Sequence, residues 1–108
     1  MREEDEKVIG LQNVSPFSYL AAFDHVGEIG TFVDLASLRQ GVARQLFEAT
    51  FSAAQRKGYE KLFTYVRADN PGALGAYLNQ GFRRVGTAER HAKIGDIYVD
   101  EVVIERWL

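Results

Sequence analysis

The sequence contains no cysteine, little proline and no large excess of either charge. Its 108 residues include no Cys and two Pro, and the formal net charge is -2 at pH 7. Without cysteine, the chain has no disulfides, no thiolate metal ligands and no cysteine nucleophile. The near-neutral charge gives no general field that would attract nucleic acid or an anionic membrane surface. We expect neither partner, and any anion-binding site must be local.

Long apolar runs are also absent. No segment is long and apolar enough to span a bilayer, and the acidic residues 1–7 lack the apolar core of a signal peptide. With 46% hydrophobic and 26% charged residues, the composition is that of a single globular domain over residues 1–108. These features favour a cytoplasmic protein.

Hydrophobic periodicity predicts strands mixed with two helices. Strands are expected over residues 7–12, 17–23, 26–33, 59–66, 82–90 and 95–107, with a turn at Ser15 and Pro16, and helices over 40–57 and 70–81. The strand 26–33, the helix 40–57 and the strand 59–66 form a βαβ unit, whose two strands must be parallel. The predicted order is βββαβαββ, an α/β (α+β) fold with a mostly antiparallel sheet and a central parallel βαβ unit.

The start of the first helix suits an anion. The first helical turn carries backbone N–H groups without intrahelical partners and the positive end of the helix dipole. Gly41 and Ala43 keep side-chain bulk away from this turn, and Arg39 and Arg44 add positive charge. An ordinary solvated helix start is the alternative interpretation of this stretch, because many helices begin with Gly and Arg and bind nothing.

Four stretches occur in an order and spacing that point to one family. They are GEIGTFVD, RQGVARQLF, GYEKLFTYVRADNPGALGAYLNQGF and the closing DEVVIERWL, and the pattern Asn70, Ala73, Tyr77, Gly81-Phe82 is the most specific. Together they resemble the GNAT superfamily of N-acetyltransferases, near the phosphinothricin acetyltransferases. The resemblance implies a sheet that binds acetyl-coenzyme A (acetyl-CoA) in a cleft between two splayed parallel strands.

The resemblance also implies a coenzyme site. In the family's glycine loop Gly41 and Ala43 match, whereas Leu38 stands where a polar residue is expected, and Arg39 could supply the missing side chain. The pantetheine arm would lie against the strand before the loop. The implied coenzyme-binding residues are Phe32, Val33, Arg39, Gly41, Val42, Ala43, Arg44, Asn70 and Tyr77.

Tyr77 matches the family's tyrosine that protonates the departing thiolate. Asn70 and Tyr77 lie two helical turns apart, so they share a helix face and stand about 10 Å apart along the axis. An extended ligand could contact both side chains, and a phenol that donates a proton to a leaving thiolate acts as a general acid. The structural alternatives are a core aromatic for Tyr77 and a plain N-cap for Asn70.

The base is open. Glu28 is the best-placed carboxylate, on the strand that would line the cleft, and the family often uses a glutamate there, directly or through water. A solvated strand residue is an equally consistent interpretation of Glu28. Asp24, His25 and His91 are alternatives, although a lone loop histidine is more often a surface residue. No cluster of His, Asp and Glu has metal-ligand spacing, so no metal is expected.

The sequence begins near what would be the family's second strand, so the wall on the acceptor side would be incomplete. Self-association as a homodimer, or a truncated chain, would explain this. Three functions stay open: an N-acetyltransferase that acts on a small-molecule or amino-acid-like primary amine by direct transfer, a non-catalytic coenzyme-binding module, and an assembly protein that uses a sheet edge and Trp107-Leu108.

Overall fold

The computed structural model describes residues 12–108. These residues form one five-stranded sheet, two α-helices and two short 3-10 turns, Ala21–Phe23 and Leu35–Ser37. The main elements are β1 (Gln12–Pro16), β2 (Val26–Thr31), α1 (Gln40–Arg56), β3 (Lys61–Arg67), α2 (Pro71–Asn79), β4 (Arg83–Ile94) and β5 (Ile97–Trp107).

The sheet has the strand order β1-β2-β3-β5-β4. Strands β2 and β3 are parallel and are joined through α1, whereas the pairs β1–β2, β3–β5 and β4–β5 are antiparallel. The predicted fold class, a mostly antiparallel sheet with one parallel βαβ unit, is therefore confirmed.

The prediction of a strand over residues 17–23 was wrong. This segment forms bends and the 3-10 turn Ala21–Phe23, and it connects β1 directly to β2. The amide of Phe17 donates to the carbonyl of Val26 and closes that hairpin. Among the alternating aromatics, Phe17 packs edge to face on Phe23 and on Phe63, whereas Tyr19 is exposed. Periodicity misled here because the loop's aromatic side chains fold back onto the sheet.

The N-terminal strand was also placed differently. The predicted turn at Ser15 and Pro16 is the end of β1, which pairs with β2 up to Gly27. The predicted strand over residues 7–12 lies outside the described residues except for Gln12.

The core lies between the two helices and one face of the sheet. Both helices end as predicted at glycines with positive φ, Gly58 (95°) and Gly81 (90°), where L side chains would be strained. Phe47 of α1 is fully buried and contacts the rings of Tyr77 and Phe82 edge to face. The largest fully buried side chains are Phe47, Ile29, Leu46, Leu62 and Ile104.

The other face of the sheet carries charged and aromatic residues. Glu105 is 6% exposed and accepts from Lys61 Nζ at 2.6 Å and from the Arg83 guanidinium. Phe63 and Tyr65 pack edge to face beside this ion pair. Across residues 12–108, neither helix reaches the length and apolarity needed to cross a membrane.

Candidate active site

The site begins where the two parallel strands separate. Strands β2 and β3 are paired only from Val26–Lys61 to Glu28–Phe63. Beyond this point β2 continues to Thr31 beside β1, and β3 continues to Arg67 beside β5. A cleft of about 330 Å³ opens between them at the carboxyl ends of the parallel strands, where ligands bind in such units.

The cleft brings together four of the predicted site residues. Glu28 of β2, Val33 of the following loop, and Asn70 and Tyr77 of the α2 segment all line it. Phe32 follows β2 directly and its side chain is largely exposed, so only its backbone could take the predicted role beside the coenzyme arm.

The cleft connects the two faces of the sheet. Side chains alternate along a strand, so Thr31 points toward the helices, whereas Glu28 points to the opposite face with its register partner Phe63. An acid on α2 and a base on β2 would thus approach one ligand from opposite sides.

Tyr77 is both a core residue and a wall of the cleft. Its ring is 4% exposed and packs edge to face on Phe47 and Phe82 at centroid distances of 5.3 and 5.1 Å. Its hydroxyl oxygen lies 2.5 Å from Thr31 Oγ1. Burial raises the pKa of Tyr77 above its ordinary value of 10.0, and the Thr31 hydrogen bond opposes this rise. The phenol is therefore protonated at neutral pH and able to donate.

Asn70 is the N-cap of α2, as the structural alternative predicted. Its Oδ1 accepts from the amide of Ala73 at 3.2 Å, and Pro71 occupies the first helical position. The cap uses the side-chain oxygen and leaves the amide group as a donor at the rim of the cleft. Capping and ligand binding are therefore compatible.

The first turn of α1 is open. Arg39 is the N-cap and makes no side-chain cap bond, and the first helical bond runs from the amide of Ala43 to the carbonyl of Arg39 at 2.9 Å. A Cβ added at Gly41 would meet nothing within 4 Å. Arg44, one turn later, is exposed and pairs with Glu48 at 3.2 Å. Amides, space and positive charge thus coincide at this turn, as an anion site requires.

The predicted loop residues divide into two groups. Arg39, Gly41 and Arg44 are exposed, whereas Ala43 is buried in the core and Val42 is half-buried. Leu38, the departure from the family pattern, packs against the core. Val42 and Ala43 would therefore contribute to an anion site through their backbone N–H groups.

Two further cavities, called the groove below, lie between the start of α1 and α2, next to the cleft. A cavity of about 310 Å³ lies between the β2–α1 loop and α2, and it shares Leu35 with the cleft. A second cavity, of about 550 Å³, touches Gly41 and Arg44 and shares Gln40 with the first. A Cβ at Gly72 would lie 2.7 Å from the Cβ of Ala36, so this glycine lets the loop pack closely on α2. A row of adjacent cavities suits an elongated ligand.

The two histidines lie in different places. His25 precedes β2, at the end opposite the cleft, and its ring stacks on Trp107 at 6.2 Å. Asp24 is its chain neighbour. His91 instead stacks on Tyr65, a residue of the cleft wall, at 5.2 Å. Of these alternatives to Glu28, the fold brings only His91 next to the cleft.

Several residues that were not predicted as site residues also line the cleft, among them Thr31, Tyr65, Arg67 and Glu101. Glu101 lies on β5 opposite Arg67, so a second carboxylate borders the site. Thr31 shares a sheet face with Ile29 through strand alternation, but nothing in the sequence links it to Tyr77. Within residues 12–108, no three His, Cys, Asp or Glu side chains gather to hold a metal ion.

Comparison with known proteins decides the family. Residues 1–82 match the acetyltransferase (GNAT) family. The chain belongs to the GNAT family. Over 91 aligned residues it is 35% identical to the mycothiol acetyltransferase of Jonesia denitrificans. The aligned region covers 82% of this chain but only 26% of that protein.

Solved GNAT structures share the fold. The ribosomal-protein-alanine N-acetyltransferase of Brucella melitensis superposes with a TM-score of 0.78 at 21% identity, over 90% of this chain and 60% of that one. A phosphinothricin acetyltransferase of Sinorhizobium meliloti, in complex with acetyl-CoA, gives 0.77 at 14% identity, over 90% and 52%. The chain thus spans less than two thirds of the length of each of these relatives.

Proposed function

We propose that this GNAT chain transfers an acetyl group from acetyl-CoA directly to a primary amine of a small-molecule or amino-acid-like acceptor. The observation that carries the proposal is the cleft between β2 and β3, which the Tyr77 hydroxyl and the Glu28 carboxylate border from opposite faces of the sheet. Family membership supports the acetyl donor, and the cleft supports the roles of the residues.

The coenzyme would lie along the groove. Its phosphates would bind the first-turn amides of α1 at Gly41, Val42 and Ala43, with Arg39 and Arg44 as nearby cations. Its extended arm would follow the groove into the cleft, beside the backbone of Phe32 and Val33 and the amide of Asn70. The open space at Gly41 and the position of the groove beside the cleft both fit such a ligand.

Glu28 and Tyr77 would each carry out one of the two proton transfers. The acceptor nitrogen attacks the thioester carbonyl carbon, a C–N bond forms and the C–S bond breaks. Glu28, directly or through water, accepts the proton that the amine loses, and the Tyr77 hydroxyl gives its proton to the departing sulfur. Both are general acid–base roles, and the raised pKa of Tyr77 keeps its proton available at neutral pH.

We also propose a homodimer in the cytoplasm, in which a second copy contributes to the acceptor side. Light scattering coupled to size exclusion tests the dimer. A monomer that transfers acetyl groups at full rate would contradict the need for a second copy.

The first experiment is calorimetric titration of the purified chain with acetyl-CoA, beside desthio-coenzyme A as the control without the reacting sulfur. Both ligands are expected to bind with a micromolar Kd. In a screen of primary amines with acetyl-CoA, release of the coenzyme A thiol is then expected. Binding without turnover across the screen would favour the non-catalytic module. A folded protein that binds neither ligand would contradict the site and favour an assembly role.

A further inference from the structure

A buried chain of hydrogen bonds ends at the Tyr77 hydroxyl. It links Thr50 of α1 to Gln12 of β1 (2.7 Å), Gln12 to Thr31 of β2 (3.0 Å), and Thr31 to Tyr77 of α2 (2.5 Å). Gln12, Thr50 and Tyr77 are each 4% exposed. Four elements of the fold thus meet through polar groups at one edge of the cleft.

The amide nitrogen of Gln12 donates to Thr31 Oγ1, and its Oε1 faces the Thr50 hydroxyl. The Thr50 hydroxyl also lies 2.9 Å from the carbonyl oxygen of Leu46. Thr31 Oγ1 accepts from Gln12 and keeps its own hydrogen, and its contact with the Tyr77 oxygen fits donation by either hydroxyl. A phenol oxygen that accepts from Thr31 keeps its own hydrogen for another partner, and the cleft is the open side.

We propose that Gln12 and Thr31 are positioning residues that fix the Tyr77 hydroxyl with its hydrogen directed into the cleft, ready for the departing thiolate. This inference rests on the proposed acetyl transfer. It adds two residues, neither of which needs to touch the ligand, to the acid function of Tyr77.

The backbone supports this arrangement. Gln12 and Thr31 are directly opposite each other in the β1–β2 register, so their side chains share a face and the bond between them is fixed by the sheet. Within residues 12–108 no buried side-chain nitrogen or oxygen lacks a hydrogen-bond partner. A satisfied buried network of this kind restricts the rotation of the hydroxyl groups that belong to it.

The first test measures, without any ligand, whether the Tyr77 oxygen accepts a hydrogen bond from Thr31. Tyrosines are labelled with ¹³C at Cζ, the Tyr77 signal is assigned with Tyr77→Phe, and its titration is followed by NMR in Thr31→Val and Thr31→Ser. A hydrogen donated by Thr31 stabilises the phenolate, so its loss in Thr31→Val is expected to raise the pKa of Tyr77. Thr31→Ser keeps the hydroxyl and is expected to restore the titration.

A downward or absent shift in Thr31→Val would overturn the proposal, because it would mean that Tyr77 donates to Thr31 or does not depend on it. Thr31→Ala replaces Thr31→Val if the second methyl group is not accommodated. Thr50→Val is the matched control, since it makes the same change in the same network without contact to Tyr77. It is expected to lower the unfolding midpoint while moving the Tyr77 titration much less.

The second test is kinetic. In Thr31→Val the kcat for acetyl transfer is expected to fall roughly tenfold, within the contribution of a well-placed general acid. The KM for acetyl-CoA should be unchanged, and Thr31→Ser should recover the rate. An unchanged kcat in Thr31→Val would overturn the proposal. If the unmodified chain transfers no acetyl group, the proposed function fails, whereas the NMR titration still tests whether the Tyr77 oxygen accepts from Thr31.

Discussion

Strand β3 has two edges with opposite properties. Toward β5 it is paired along its whole length, from Lys61–Trp107 to Arg67–Glu101. Toward β2 the pairing stops at Glu28–Phe63, and the strands separate. One edge therefore holds the sheet together, while the other leaves backbone groups and side chains to a ligand. The comparison shows that the site is made by ending a ladder of hydrogen bonds, with no separate domain needed among residues 12–108.

The two edges also use their charged residues differently. On the paired side Glu105 is buried against Lys61 and Arg83, whose positive charges lower the pKa of this carboxyl below its ordinary value of 4.5. On the open side Glu28 of β2 borders the cleft, which Glu101 reaches from the last residue pair of the β3–β5 ladder. We expect substitutions on the open side to change binding or turnover and those on the paired side to change stability.

The largest effect is expected from Gly41→Glu. The new carboxylate would occupy the phosphate position at the start of α1 and repel the ligand, so calorimetry should detect no binding of acetyl-CoA. An acidic residue in the first helical turn favours the helix, so the fold should be kept. Gly86→Glu on β4, which also has open space around the glycine, is the matched control and should bind normally. Normal binding of acetyl-CoA by Gly41→Glu would show that the phosphates do not bind at the first turn of α1.

Tyr77→Phe should separate binding from chemistry. Without the hydroxyl, the departing thiolate receives no proton, and turnover is expected to fall about a hundredfold, the contribution typical of a positioned acid. The Kd for acetyl-CoA from calorimetry should be unchanged. Tyr98→Phe, at an exposed tyrosine of β5, is the control. Full activity in Tyr77→Phe would leave Tyr77 with a packing role alone.

Glu28→Gln should alter the pH dependence of kcat/KM. The amide cannot accept the amine proton, so the limb on which the rate rises with pH should flatten. The maximal rate should fall roughly tenfold to a hundredfold. Glu101→Gln and His91→Gln, at the other candidates beside the cleft, test the same role. If the rising limb of the pH profile flattens in one of these two variants and stays normal in Glu28→Gln, the residue changed in that variant is the base.

Glu105→Gln is expected to affect stability and not coenzyme binding. Loss of the charged hydrogen bonds to Lys61 and Arg83 should lower the free energy of unfolding by about 2 kcal/mol at pH 7. Because the folded pKa of Glu105 is lowered, its contribution is complete above its ordinary value of 4.5 and is lost as the pH falls through the lower folded value. Chemical denaturation should therefore show the difference from the unmodified chain closing in acid. Glu89→Gln, on exposed β4, serves as the control, and a difference that does not change with pH would contradict the assignment.

Local sequence signals predicted the helices and the general position of the site. The apolar spacing of α1 with Gly58 after it, and Asn70 and Pro71 before α2, define elements through neighbouring residues. The βαβ order then requires parallel strands, with a candidate anion site between the first strand and α1. Local alternation failed for residues 17–23, because aromatic residues that fold back onto a sheet repeat like those of a strand.

The sequence by itself determined the two helices, the parallel pair and the residues Gly41, Asn70 and Tyr77 as candidates. Only the tertiary structure decided where β2 and β3 separate, that His91 and not His25 lies beside the cleft, and that Gln12 and Thr31 reach Tyr77. The physical reason is distance along the chain. Helix caps and periodicity act between near neighbours, whereas the end of a strand pair and a hydrogen bond between β2 and α2 depend on packing among distant residues.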